Sequence, residues 1–340
     1  MRGQEAAHTG GPMRLITFET GGVEKLGAWI DQDSRVVDLA RAAGGGDPAM
    51  ASMQALIEAG PAAWDRARAL VAAPPPGAVL PMAQCRLLAP LPRPVQIRDC
   101  LCFPAHLQGA AAAQIERMIK ASPDPEKLRA EIVASGRLEL PKSFYDFPLY
   151  YISNRMSVVG PDVDVVWPPF SQTLDYEMEW AIVIGKECRG VTAAEAKGAI
   201  FGYTIFNDWS ARDEQMKVMQ TGALNLGPGA GKDFCNGVGP CIVTADEMPD
   251  PYALAMKVRV NGAQVSHGNS SGMHYKFEDL IAYLTRGGAL YPGELICSGT
   301  VGGGCSLETG QTIRPGDVIE LEVEKIGTLR NRVLAPHIAG

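Results

Sequence analysis

The stretch from Leu174 to Gly185, LDYEMEWAIVIG, constrains the fold of this chain more than any other. Its apolar second half, AIVI, marks a buried strand. Side chains on a strand alternate with period two, so Asp175, Glu177 and Glu179 share one face, successive members about 7 Å apart. Anions placed this way repel one another. A solvated face would tolerate them, but a strand that runs straight into AIVIG is entering a core. Buried carboxylates need a cation there, or they take up protons.

Other acids compete for the same role. Asp208 closes the apolar run YTIFND and is followed by Ser210-x-x-Asp213, the spacing of a helix capping box. Capping and turn roles account for Asp213, whereas Asp208 at the end of a buried strand occupies a frequent place for functional groups. Asp99 lies in RDCLCFPAH, seven residues before His106, and His106 is the only histidine this close to a candidate ligand. Were Asp99, Glu177, Glu179 and Asp208 to converge, they would form an all-oxygen, multiply anionic site suited to a hard cation. Mg²⁺ is the first choice, with Mn²⁺ or Ca²⁺ as alternatives. The set holds no His or Cys, which disfavours zinc. Lys232 in LGPGAGKDF imitates a phosphate-binding loop, but Leu226 stands where that motif needs glycine and Asp233 where it needs Ser or Thr. The segment reads instead as a Gly-rich loop bringing one lysine to a small anionic substrate. Gly302, Gly303 and Gly304 are either a plain turn or a loop that admits backbone contact with a ligand.

Composition narrows the setting. With 340 residues, 46% hydrophobic and 20% charged, the chain can bury a large core, which excludes disorder, collagen and a mini-protein scaffold. Thirty-one basic against 38 acidic residues give a net charge of −7, so neither nucleic acid nor an anionic membrane is an expected partner. No apolar stretch approaches the roughly 20 residues that span a bilayer, and no signal pattern opens the chain. A soluble, cytoplasmic protein is expected. The eight cysteines include no C-x-x-C pair, and the C-x-C pair Cys100 and Cys102 reads as small buried hydrophobes.

Residues 1–12 read as a flexible leader, 13–93 as a small α+β domain with a proline-rich connection, and 94–336 as a strand-rich catalytic domain. Helical patterns cover about 50–71 and, split by SPDP, about 106–136. Asn261-Gly262 between MKVRV and AQVSH is the sequence of a two-residue type I′ hairpin. YPGE at 291–294 and RPGD at 314–317 each precede a strand-like run. No βα repeat appears, so the fold class is α+β and β-rich, neither a Rossmann fold nor a TIM barrel.

In this order, DYEMEWAIVIG, NDWSARD, GKDF and CSGT resemble motifs of the fumarylacetoacetate hydrolase family over roughly residues 95–335. The resemblance implies a mixed β-sandwich and β-roll catalytic domain, and a homodimer. It implies Glu177, Glu179 and Asp208 as metal ligands, with Lys232 facing the substrate. Asp99 and His106 resemble the family's aspartate-x6-histidine pair, implying a fourth ligand and a general base. Gln215, Thr300 and Tyr151 resemble substrate-binding residues. The carboxylate that orients the histidine in hydrolytic members has no match. Glu308 lies in the corresponding part of the chain, in a loop, GTVGGGCSLETG, of different length and sequence. The expected activity is Mg²⁺-dependent hydrolytic cleavage of a C–C bond in an acylpyruvate or related β-diketo acid. Decarboxylation of a β-keto acid, or keto–enol isomerisation, is the alternative chemistry.

Overall fold

Alternation along the strands sets the architecture of the computed structural model, which describes residues 13–135 and 139–336. The leader expected over 1–12 lies outside the described residues. The longest path through a twelve-stranded sheet runs Val79–Pro81, Arg35–Asp38, Val23–Ile30, Arg14–Thr20, Asn236–Thr244, Ile200–Asp208, Met178–Ile184, Leu295–Cys297, Ile97–Cys100, Tyr150–Ser153. A second, five-stranded sheet orders Ala263–Asn269, Ala255–Val260, Val318–Val323, Gly327–Leu334 and Val165–Val166. This is the α+β, strand-rich class expected from the sequence.

The Met178–Ile184 strand is buried along its whole length, and its two faces serve different cores. Met178, Trp180, Ile182 and Ile184 join Val258, Leu321 and Leu329 of the five-stranded sheet. Ala181 and Val183 join Ile97, Phe206 and Cys297, together with Leu56 and Ile57 of the helix Met53–Ala59. Period-two alternation therefore places Glu179 on the face of Ala181, Asp208 on the face of Phe206 and Asp99 on the face of Ile97. The acids continue an apolar surface, so the core that orders the strands also aims the carboxylates.

The turn signals hold. Asn261 and Gly262 both have positive φ, 53° and 79°, as a type I′ turn between the strands Ala255–Val260 and Ala263–Asn269 requires. The helices Pro104–Ala121 and Pro125–Ala134 flank SPDP as expected. Two local expectations are corrected. The helical stretch expected over 50–71 is two helices, Met53–Ala59 and Pro61–Ala72, because Gly60 at φ 77° ends the first and starts the second. Ser210 and Asp213 form no capping box. Ser210 pairs in a strand with Asp175, and its hydroxyl donates to the Asp208 carbonyl at 2.9 Å. The helix Arg212–Met219 begins after it, with no side-chain cap. The described cysteines are all free thiols, and among the described residues no helix is long and apolar enough to cross a membrane.

Candidate active site

The registers carry the acids together. Cys297 pairs with both Ala181 and Asp99, and Asp99 pairs in turn with Tyr151. Asp99, Glu179 and Asp208, each no more than 1% exposed, bring carboxylate oxygens within 4.8 Å of one another. Tyr151 donates to Asp99 Oδ2 at 2.7 Å and also touches Asp208. Glu179 accepts the Gly299 N–H at 3.0 Å and the Thr300 hydroxyl at 3.4 Å. Burial, joined by repulsion from Asp99 and Asp208, pushes the Glu179 carboxyl well above the ordinary carboxylate range. Asp208 is driven up in the same way despite the Lys232 cation, and Asp99 is raised by burial against the same cation.

Glu177 has a different role in the charge balance. It pairs with Lys232 Nζ, meets Arg212 at 2.7 Å and lies 3.9 Å from His106 Nε2. Burial pushes its carboxyl up, but the Arg212 and Lys232 cations outweigh burial and hold it far below the ordinary range. Lys232 also pairs with Asp208. Although burial opposes its charge, Asp208 and Glu177 raise its pKa and keep it an ammonium. Gly231 makes this approach possible, since a Cβ there would stand 2.6 Å from the Gln215 backbone nitrogen. The loop thus presses against the helix Arg212–Met219 and delivers Lys232 into the site.

His106 stands on the first turns of the helix Pro104–Ala121, its ring 2.7 Å from Glu308 through Nδ1. Glu308 is fixed from its other oxygen by the Gly303 N–H at 2.9 Å. Gly109, one helical turn after His106, leaves the room, because a Cβ there would lie 2.5 Å from Glu308 Oε1. Asp175 anchors the same region by accepting Arg212 Nε at 2.8 Å, the Ser306 N–H at 2.8 Å and the Leu307 N–H at 3.2 Å. Arg212 also donates to Gln215 at 3.0 Å.

Most of these groups line one cavity of about 430 Å³; Asp175, Asp208 and Glu308 lie outside its lining. Asp99, His106, Tyr151, Glu177, Glu179, Gln215, Lys232 and Thr300 line it, whereas Asp208 joins the group through its contacts with Tyr151 and Lys232. Three acids form the tight oxygen group, while Glu177 faces the cations and the histidine. Sequence reasoning missed Arg212, which sat inside a quoted motif without a role, and Gly109, whose meaning depends on a residue 199 positions away. It left Glu308 unplaced.

The oxygen group fits a divalent cation. Asp99 Oδ1 and Asp208 Oδ1 are buried and have no hydrogen-bond partner among the described residues. Such acceptors are costly unless a cation or proton meets them, and an oxygen-only donor set is the kind Mg²⁺ or Mn²⁺ takes.

Residues 126–334 match the family model described as fumarylacetoacetate (FAA) hydrolase C-terminal. The human protein named oxaloacetate tautomerase, mitochondrial, is 32% identical over 332 residues, 97% of this chain and 90% of that protein. A 2,4-didehydro-3-deoxy-L-rhamnonate hydrolase of a Sphingomonas species is 38% identical over 188 residues, 55% of this chain and 65% of that one. Among solved structures, a fumarylacetoacetate hydrolase of Exiguobacterium antarcticum superposes with a TM-score of 0.69 at 25% identity, covering 95% of this chain and 99% of that one.

Proposed function

The chain belongs to the fumarylacetoacetate hydrolase family, and from that premise we propose that it hydrolyses a C–C bond in an acylpyruvate or related β-diketo acid, with a divalent metal bound. The observation that carries this reading is the His106–Glu308 contact of 2.7 Å beside the carboxylate group. A carboxylate on Nδ1 holds the proton on that nitrogen and leaves Nε2, which faces the cavity, free to act as a base. Asp99, Glu179 and Asp208, with Glu177 beside them, would hold the cation, Mg²⁺ first and Mn²⁺ or Ca²⁺ as alternatives. Bound there, it supplies Lewis-acid polarisation of a substrate carbonyl and positive charge for the enolate oxygen.

The chain's own groups do the rest. His106 Nε2 takes a proton from water, and the hydroxide so formed adds to the acyl carbonyl. Lys232 and Gln215 donate to the oxygens on which negative charge develops, and the burial of Lys232 strengthens its contact. When the C–C bond breaks, the acyl part leaves as a carboxylic acid. Its electron pair passes to the enolate of the pyruvate part, which recovers a proton from the His106 imidazolium. Tyr151 and Thr300 brace Asp99 and Glu179 and complete the wall that the substrate meets.

A second reading has its own support. The human relative aligned over 97% of this chain is named a tautomerase of oxaloacetate. Keto–enol exchange, like decarboxylation of a β-keto acid, needs the same enolate stabilisation but no attacking water. Product analysis by NMR separates the readings. With acetylpyruvate and Mg²⁺, the leading account expects acetate and pyruvate in equal amounts. Turnover limited to enol exchange of oxaloacetate would overturn hydrolysis in favour of tautomerisation, and release of CO₂ would favour decarboxylation. We further propose a cytoplasmic homodimer acting on a small dicarbonyl acid.

A further inference from the structure

Beside the oxygen group lies a chemically different set of donors. His106 Nδ1, Cys305 Sγ and a Glu308 carboxylate oxygen all lie within 4.8 Å of one another. Glu308 Oε2 is 2.7 Å from the imidazole nitrogen and 3.3 Å from the thiol sulfur. The proposed reaction uses the imidazole and the carboxylate and gives the thiol nothing to do. Imidazole, thiolate and carboxylate are the ligand types of zinc sites with three protein ligands and one open position. A thiolate, by contrast, is foreign to Mg²⁺. We propose that this trio is a zinc site, and that Zn²⁺ bound to His106 Nδ1, Cys305 Sγ and Glu308 Oε2 switches the enzyme off without displacing the cation held by the acids.

The scaffold is already in place. Cys305 stands at the N-cap of the helical turn Ser306–Thr309 that carries Glu308, and the two side chains, three residues apart, are in contact at 3.3 Å. Asp175 holds the start of that turn through the Ser306 and Leu307 N–H groups. The Gly303 N–H keeps Glu308 Oε1 occupied and leaves Oε2 for the metal. Of the three donors, His106 also lines the cavity.

The bonds balance without any redox step. The Cys305 S–H bond breaks, its proton leaves to solvent, and an S–Zn bond forms, since a coordinating thiol is deprotonated outright. The Nδ1 lone pair binds zinc, and the proton that Nδ1 shared with Glu308 moves to Nε2. Each zinc therefore releases one proton. It also leaves Nε2, the cavity-facing nitrogen, as an N–H donor that cannot take a proton from water. Zinc binding stands on the donor geometry alone, while the loss of turnover rests on the reading of His106 as the base.

The test titrates Zn²⁺ into the full chain saturated with Mg²⁺, by calorimetry in two buffers of different ionisation enthalpy, with Co²⁺ as a spectroscopic stand-in. The expected result is one zinc and one released proton per chain, a near-ultraviolet thiolate-to-cobalt absorption, and a fall in kcat at unchanged KM. Cys305→Ser, which keeps an O–H donor for Glu308, should abolish the absorption. It should also weaken zinc binding by more than the roughly 10- to 100-fold that an outer-shell partner is worth. Glu308→Gln should weaken zinc while keeping the absorption, which guards against a misfolded serine variant. Zinc that merely displaces Mg²⁺, cobalt without a thiolate band, or undiminished zinc affinity in Cys305→Ser would each overturn the site. A zinc complex with the band but undisturbed turnover would uphold the site and overturn the base role of His106.

Discussion

At the scale of single residues, the account turns on which nitrogen of His106 carries a proton. In the proposed mechanism the Glu308 carboxylate 2.7 Å from Nδ1 keeps the proton on that nitrogen, and Gly109 gives Glu308 its room. His106→Ala should keep metal affinity while kcat falls by about 10²- to 10⁴-fold, the usual worth of a general base. Steady-state kinetics beside a metal titration checks both halves. Gly109→Ala should also lower kcat while sparing the fold, because its new methyl group must push Glu308 off the imidazole. Undiminished kcat with unchanged thermal stability would contradict that placement. The acids, His106 and Lys232 were singled out in the sequence by strand alternation and by motifs of the family, but the structure breaks the expected single strand into Leu174–Asp175 and Met178–Ile184, leaving Glu177 between them in an isolated bridge to Cys305. Glu308 was not legible, since its partner is 202 residues away and only the folded loop shows which acid reaches the ring.

At the scale of elements, strands and turns were the readable part. The apolar run 178–184 and the Asn261-Gly262 turn obey local rules of alternation and backbone φ. The start of the helix Arg212–Met219 was misread because a tertiary partner claims the acid. Asp213 accepts the Ser171 hydroxyl at 2.5 Å and the Gln172 N–H at 2.9 Å, tying the segment before Leu174 to the helix that holds Arg212 and Gln215. Burial is the largest single influence and raises the Asp213 carboxyl, but these bonds, together with the Asp213 and Glu214 N–H groups, outweigh it and set the pKa below the ordinary value. The contribution is therefore present above the unfolded aspartate pKa and is lost as pH falls through the folded value. Asp213→Asn should cost about 1 kcal/mol in urea unfolding near neutral pH, and the difference from wild type should vanish in acid. An equal cost at both ends of the pH range would show that charge plays no part.

At the scale of the whole molecule, two cores order one large sheet so that its apolar face ends in three acids. Burial and mutual repulsion raise Glu179 and Asp208 well above ordinary carboxyls, with Asp99 also raised. In metal-free protein the folded state consequently binds more protons than the unfolded chain, between the ordinary carboxylate pKa and the raised folded values. Stability must fall as pH rises through that window. EDTA-treated protein should melt at a higher temperature at mildly acid than at neutral pH, and Glu179→Gln should flatten the slope. Divalent metal should restore stability at neutral pH by mass action. The central claim is that the acid group is a cation site, and calorimetric titration of Mn²⁺ and Mg²⁺ into EDTA-treated protein and into Glu179→Ala tests it most directly. The account predicts one ion per chain for the native protein, with proton release, and none for the variant. No binding to the native chain, or equal binding to the variant, would contradict it.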